Sequence, residues 1–167
     1  VKASNQGMQT LISTGDKDLA QLVNERVTLV NTMNDSYLDR DGVVAKFGVP
    51  PDRIVDYLTL VGDSVDNIPG VPKCGPKTAV KWLQAYGSLD ELMAHADEIK
   101  GKVGESLRAS LEQLPLSREL VTIRLDLELQ QGPEELQPSA PDQAVLRELY
   151  EWIESERLLA TLDDSSD

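Results

Sequence analysis

The sequence predicts an α/β chain in which a small open sheet leads into a helical region. Three observations carry this reading. Two short apolar and β-branched runs, Met8–Ser13 and Val27–Asn31, lie close together near the start. From Asp41 onward the apolar residues change to helical spacing. Gly and Pro then fall where helices should end, at Gly48, Gly62 and Gly87, or just beyond, at Pro50 and Pro51. The chain divides accordingly into residues 1–40, 41–129 and 130–167.

Met8–Ser13 is predicted to be a buried strand running into the loop Thr14-Gly15-Asp16. Asp16–Leu22 has room for one or two helical turns, and Val27–Asn31 is a second strand. Asn34-Asp35 marks a turn into a brief third strand, Ser36–Leu38. Val43, Val44 and Phe47 line a short helix stopped by Gly48. Pro51 suits the first turn of the next helix, whose apolar face is Ile54, Val55, Leu58 and Val61 and whose end is Gly62. Asp63–Gly75 is loop. Lys77–Tyr86 is a helix with Ala79, Val80 and Leu83 inward. Ser88 caps another, with Glu91 completing a capping box. Gly104–Leu114 and Ser117–Ile123 are two further helices. Gln130–Pro141 is a linker, and Asp142 caps a last helix over Gln143–Leu159, with Val145, Leu146, Leu149, Ile153 and Leu158 apolar. The terminal Asp163–Asp167 is predicted to be disordered.

A chain of 167 residues can bury one substantial core. No apolar run approaches the roughly 20 residues of a membrane helix, so no membrane partner is expected. The single Cys74 excludes an internal disulfide, and with His95 as the only histidine a Cys/His zinc site is not expected. Any metal here should be bound through oxygen. The net charge of −13 runs against nucleic acid until it is located. Residues 126–167 hold twelve acids against Arg147 and Arg157, which is ten of those thirteen charges. Pro69–Gly87 holds Lys73, Lys77 and Lys81 and no acid.

Three motifs carry chemistry. In Thr14-Gly15-Asp16-Lys17-Asp18, two carboxylates just past a strand can point into one cleft. Close carboxylates repel unless a cation neutralises them, and Mg²⁺ or Mn²⁺ suits such oxygens. In Gly62-Asp63-Ser64-Val65-Asp66-Asn67-Ile68-Pro69-Gly70, Asp63 and Asp66 would share a side if the loop opens helically. Each pair alone fits equally a capped, solvated turn. Together they suit a two-metal phosphodiester site. In Gly70–Ala79, glycines flank a turn into a helix whose first amides, with Lys73 and Lys77, form a phosphate site. The plainer reading is a helix–turn–helix connection with surface lysines. His95 is expected at the surface, Cys74 as a small loop residue, and Trp82 and Tyr86 as packing residues.

Read in order, these motifs resemble the 5′-nuclease (flap endonuclease-like) family. The match is strongest to the 5′→3′ exonuclease domain of bacterial DNA polymerase I. It rests on Leu11–Val23 (Leu-Ile-Ser-Thr-Gly-Asp-Lys-Asp-Leu-Ala-Gln-Leu-Val), Phe47–Pro51, Gly62–Val71 and Gly75-x-Lys77-Thr78-Ala79, and runs from about Leu11 to Leu129. The resemblance implies a partial Rossmann-like (PIN/5′-nuclease-like) sheet followed by a helix–hairpin–helix subdomain. It implies that Asp16, Asp18, Asp63 and Asp66 are catalytic metal ligands for two Mg²⁺ or Mn²⁺ ions in a complete site. It implies that Gly70, Lys73, Gly75, Lys77 and Thr78 hold the DNA backbone, with K⁺ at the turn around Val71–Gly75. The implied substrate is 5′-flap, nicked or primed duplex DNA. The implied partner is a polymerase domain in the same full-length chain, and the implied location is the bacterial cytoplasm at the nucleoid. The family's leading strand with its first metal-binding Asp, its helical arch and its acidic cluster find no counterpart in this sequence. The chain is therefore expected to be part of a larger domain and not to cleave efficiently alone. Two other classes compete: a non-catalytic DNA-binding module using only the hairpin, and a phosphotransferase or phosphatase using Asp16 and Asp18.

Overall fold

The computed structural model describes residues 1–163. The chain forms two compact units, Val1–Glu128 and a second that begins at Leu129. The expectation of disorder for 164–167 lies outside the described residues, whereas Asp163 closes the last helix.

In the first unit, a short helix α1 (Lys2–Asn5), not anticipated from sequence, precedes strand β1 (Thr10–Ser13). Strand β2 (Val27–Asn31) and strand β3 (Ser36–Leu38) fall where the β-branched run and the Asn34-Asp35 turn put them. The sheet order is β1-β2-β3. β1 runs parallel to β2 with Thr10 opposite Val27, and β3 runs antiparallel with Leu38 opposite Leu29. β2 buries Val27 and Leu29. β1 differs from expectation: it is an edge strand, and Leu11 is 67% exposed while Ile12 packs against the core. Burial of a strand on both faces needs neighbours that local sequence does not specify.

A 3₁₀ turn, Asp18–Leu22, connects β1 to β2. Helix α2 (Arg40–Phe47) starts on Asp39, whose side chain accepts from the Gly42 amide. It stops at Gly48 in the left-handed conformation. Val43 is its buried residue and Val44 is exposed, so the predicted face is narrower than drawn. A 3₁₀ turn, Pro51–Arg53, then feeds helix α3 (Ile54–Val61).

Helix α3 is the centre of the unit. A one-faced helix was expected. Instead Ile54, Tyr57, Leu58, Thr59 and Leu60 are all buried, while Val55 and Val61 pack at the margin. A helix buried over most of its circumference belongs inside, and its Asp56 is matched by partners there. Burying a Leu or Ile side chain contributes about 1.5–3 kcal/mol each. The one polar member, Thr59, returns its hydroxyl to the Val55 carbonyl at 2.7 Å.

Around α3 stand α4 (Pro76–Tyr86), α5 (Leu89–Ala94), α6 (Gly101–Ser110) and α7 (Leu114–Val121). α4 and α7 pack directly on α3. Trp82 is buried with Ala79 and Leu83, while Val80 is only partly covered. Ser88 Oγ accepts from the Glu91 amide at 3.2 Å as predicted, but the Glu91 side chain makes no return bond to the Ser88 amide, so the capping box is half made. The last two helices start and stop earlier than periodicity suggested. The Asp56 carboxylate accepts from the Leu89 amide and faces Arg118, which also reaches Asp90 at 3.0 Å. The Gln21 side chain donates to the Val121 carbonyl at 2.9 Å and accepts from the Ile123 amide at 3.0 Å. It joins the loop after β1 to the end of α7.

In the second unit, Asp142 caps α8 (Gln143–Trp152) by accepting from the Ala144 and Val145 amides. The predicted single helix is broken: Glu154 takes a left-handed φ of 54°, and α9 (Glu156–Asp163) follows. α8 packs against α9, and Leu162 is buried there. Val145, Leu149 and Ile153 of the expected apolar stripe remain exposed.

Candidate metal centre

The loop leaving β1 is organised by two side-chain caps in series. The Asp16 amide donates to Thr14 Oγ1 at 3.0 Å, and the Asp18 amide donates to Asp16 Oδ1 at 2.9 Å. One carboxylate oxygen of Asp16 therefore serves the backbone, and the side chain is exposed. Asp18, at the head of the 3₁₀ turn, points inward instead.

The loop leaving α3 folds back on itself. Asp63 and Ile68 pair as an antiparallel bridge, with reciprocal hydrogen bonds of 2.8 and 2.7 Å. Asp63 Oδ1 accepts from the Val65 amide at 3.0 Å. Asn67 takes a left-handed φ of 57° to close the turn. The segment is thus a bridged turn and not the start of a helix, and it is this turn that puts Asp66 beside Asp63.

The two loops meet. Ligand oxygens of Asp18, Asp63 and Asp66 lie within 4.8 Å of one another. Asp16 lines the same cleft, together with Gly15 and Lys17, but its carboxylate stands outside that group. Of the four predicted ligands, the structure converges three.

Electrostatics make the cluster uneven. Burial, helped by Asp16, Asp63 and Asp66, pushes the Asp18 carboxyl up. The Lys17 ammonium, 2.7 Å from Asp63 Oδ2, holds the Asp63 carboxyl below the usual range, assisted by the Val65 amide. Asp63 is 4% exposed. Asp18 Oδ1 is buried and has no hydrogen-bond partner. An orphaned carboxylate oxygen is costly. One aimed into an all-oxygen carboxylate cluster fits a hard divalent cation. Lys17 was not among the predicted site residues. Its signal was present, a lysine flanked by two acids, but its partner lies far along the chain.

The Gly70–Ala79 segment adjoins this centre. Gly62 and Gly70, with φ of 80° and 60°, bring their backbones together. A Cβ on Gly70 would stand 2.5 Å from the Gly62 nitrogen. The Val71 amide then donates to the Leu60 carbonyl at 2.8 Å, and the Cys74 amide to the Val71 carbonyl at 2.9 Å. Lys73 sits at the tip with φ 68° and is exposed. Gly75 caps α4, and its carbonyl accepts from the Thr78 and Ala79 amides. Pro76 contributes no N–H to this helix start. Lys77 is exposed on the first turn and Cys74 is buried, its thiol pushed up to about 11 by that burial.

Comparison with known proteins agrees with this geometry. The family described as 5′-3′ exonuclease, C-terminal SAM fold, matches residues 49–144. The chain is 40% identical to a 5′-3′ exonuclease of Aquifex aeolicus over 97% of its own length and 55% of the relative's. It is 47% identical to DNA polymerase I of Pseudomonas aeruginosa over 91% of its length and 18% of the relative's. The chain thus spans about half of the first relative and under a fifth of the second. Among solved structures, T5 5′-exonuclease with bound zinc superposes with a TM-score of 0.66 at 20% identity, covering 72% of this chain and 45% of that one. The catalytic core of Rad2 in complex with DNA gives 0.61 at 15% identity, covering 96% and 60%. These likenesses establish a 5′-nuclease fold, and the chain belongs to the 5′-3′ exonuclease family.

Proposed function

We propose that this chain supplies part of the active site and the duplex grip of a 5′→3′ exonuclease and structure-specific 5′-flap endonuclease of the DNA polymerase I type. The observation that carries this is the convergence of Asp18, Asp63 and Asp66 oxygens within 4.8 Å of one another, in a group where one Asp18 oxygen is buried and has no partner. Mg²⁺ or Mn²⁺ bound there would supply an activated water and stabilise the leaving oxygen of a phosphodiester, with two ions in a complete site. Asp18, Asp63 and Asp66 are the direct ligands. Asp16 holds the Asp18 backbone through its capping bond and would add negative charge beside the ion. Gly70, Lys73, Gly75, Lys77 and Thr78 bind the phosphate backbone without reading base identity. Carbonyls of the turn around Val71–Gly75 are the proposed K⁺ ligands. In this reading residues 1–40 belong to the α/β nuclease core, 41–129 form the helix–hairpin–helix subdomain, and 130–167 lead towards a polymerase domain. The working location is the bacterial nucleoid, and no described helix is long and apolar enough to cross a membrane.

The test has two arms. Mn²⁺ titration of the chain should show binding that Asp63→Ala abolishes. Mn²⁺ binding untouched by that substitution would favour a plain DNA-binding module. A 5′-flap duplex with Mg²⁺ should be bound but cleaved poorly, because three converged carboxylates are few for the two ions of a complete site. Robust turnover by the isolated chain would overturn the assignment of a partial site.

A further inference from the structure

Lys17 lies between Asp16 and Asp18 in sequence yet reaches a third carboxylate. Its Nζ is 2.7 Å from Asp63 Oδ2, and its side chain is 38% exposed where that of Asp63 is 4% exposed. The other Asp63 oxygen is taken by the Val65 amide. Both oxygens of the most buried ligand are therefore engaged, one of them by a cation. Beside them, Asp18 Oδ1 is buried with nothing to bind. A single ammonium satisfies Asp63 and leaves Asp18 unsatisfied.

A divalent ion on Asp18, Asp63 and Asp66 would have to share Asp63 with that ammonium at close range, where like charges repel. The ammonium has somewhere to go. Lys17 also lines the neighbouring cleft formed by Thr14, Asn31, Asn34, Ser36 and Lys46. With 38% of its side chain already exposed, the lysine can turn its ammonium out to solvent by rotamer changes, away from Lys46 in that cleft.

We propose that Lys17 is an exchangeable counter-ion of the metal centre, a reading that rests on the metal site above. It neutralises Asp63 in the metal-free chain and is expelled when the ion enters. The acidic loops then keep their spacing with no metal, and metal affinity is set lower than the carboxylates alone would give. The structural mark of this role is a charged pair made across two loops at the ligand that is otherwise hardest to leave ionised.

The experiment uses the full chain, with Mn²⁺ as the probe, in three forms: unsubstituted, Lys17→Met and Lys17→Arg. Lys17→Met keeps the stem and removes the charge. It should bind Mn²⁺ about tenfold more tightly, the ratio that about 1.4 kcal/mol represents, which is near the low end for a hydrogen bond to a charged group. Its thermal midpoint without metal should fall. Lys17→Arg keeps the ion pair and should bind Mn²⁺ no more tightly than the unsubstituted chain. Mn²⁺ affinity of Lys17→Met that is equal or weaker overturns the exchange role while leaving the metal site intact. Absence of Mn²⁺ binding in all three overturns the metal site itself. Should Lys17→Met fail to fold, the ¹⁵N signal of the Lys17 ammonium in the unsubstituted chain decides. It should shift on saturation with Mg²⁺, and a signal that stays in place overturns the proposal.

Discussion

Gly70→Ala should be among the most damaging single-methyl changes in the chain. At Gly70 the added Cβ would lie 2.5 Å from the Gly62 nitrogen and the Val61 carbonyl carbon, and 2.6 Å from the Val61 oxygen. All three atoms are backbone, so no side chain can swing away. Ordinary contact begins near 3.4 Å, so the two strands of the turn would have to part by roughly 1 Å. Parting them opens the bond from the Val71 amide to the Leu60 carbonyl. A buried bond left unmade costs about 1–3 kcal/mol. The φ of 60° adds about 1–2 kcal/mol for a residue with a Cβ. The total is about 2–5 kcal/mol. At a urea slope of about 2 kcal/mol per M, the unfolding midpoint should drop by roughly 1–2.5 M. Gly87→Ala is the control: its φ is 82° but nothing lies within 4 Å of the added Cβ, so only the conformational cost of about 1–2 kcal/mol applies. Equal midpoints for the two variants would refute the argument that backbone apposition, and not φ, fixes this turn.

Further outcomes follow from the site. Asp18 has a raised carboxyl, so by linkage its contribution is full below the ordinary carboxylate value and is lost as pH rises through the raised one. Asp18→Asn should therefore raise the metal-free thermal midpoint at neutral pH, with the gain vanishing in acid, while Mn²⁺ binding is lost. Asp63 has the opposite sign: its stabilisation is present above the ordinary value and disappears as pH falls through the depressed one, so Asp63→Asn should lower the neutral-pH midpoint. Lys73→Ala and Lys77→Ala should each weaken duplex binding alike across sequences, and each should reduce the log–log salt slope by about 1, measured by fluorescence anisotropy.

Much of the fold was legible because it is local. Asp39, Ser88 and Asp142 cap helices with their own side chains, and Gly48 ends one by a left-handed φ. Such features need no distant partner, and sequence places them well. The break between α8 and α9 carries no Gly or Pro, and Glu154 gave no sign of its positive φ. The exposed edge of β1 depends on which strands lie beside it, which a run of apolar residues cannot state. The site divides the same way. Two Asp-bearing loops were legible from their spacing. That Asp18 turns inward while Asp16 caps a backbone amide is decided by the 3₁₀ turn, and that Lys17 joins Asp63 is decided by packing between loops from distant parts of the chain.

The Gln21 amide sets a condition on all of this. Its NH₂ group donates to the Asp18 and Val121 carbonyls, and its oxygen accepts from the Ile123 amide. The five-residue 3₁₀ turn that carries Asp18 has little rigidity of its own. It packs directly on α3, from which Asp63 emerges, and is tied to the end of α7 by Gln21. Alignment of the proposed ligands is thus referenced to the helical layer as well as to the sheet. The layer that would meet the duplex is also the datum from which the acidic centre is measured.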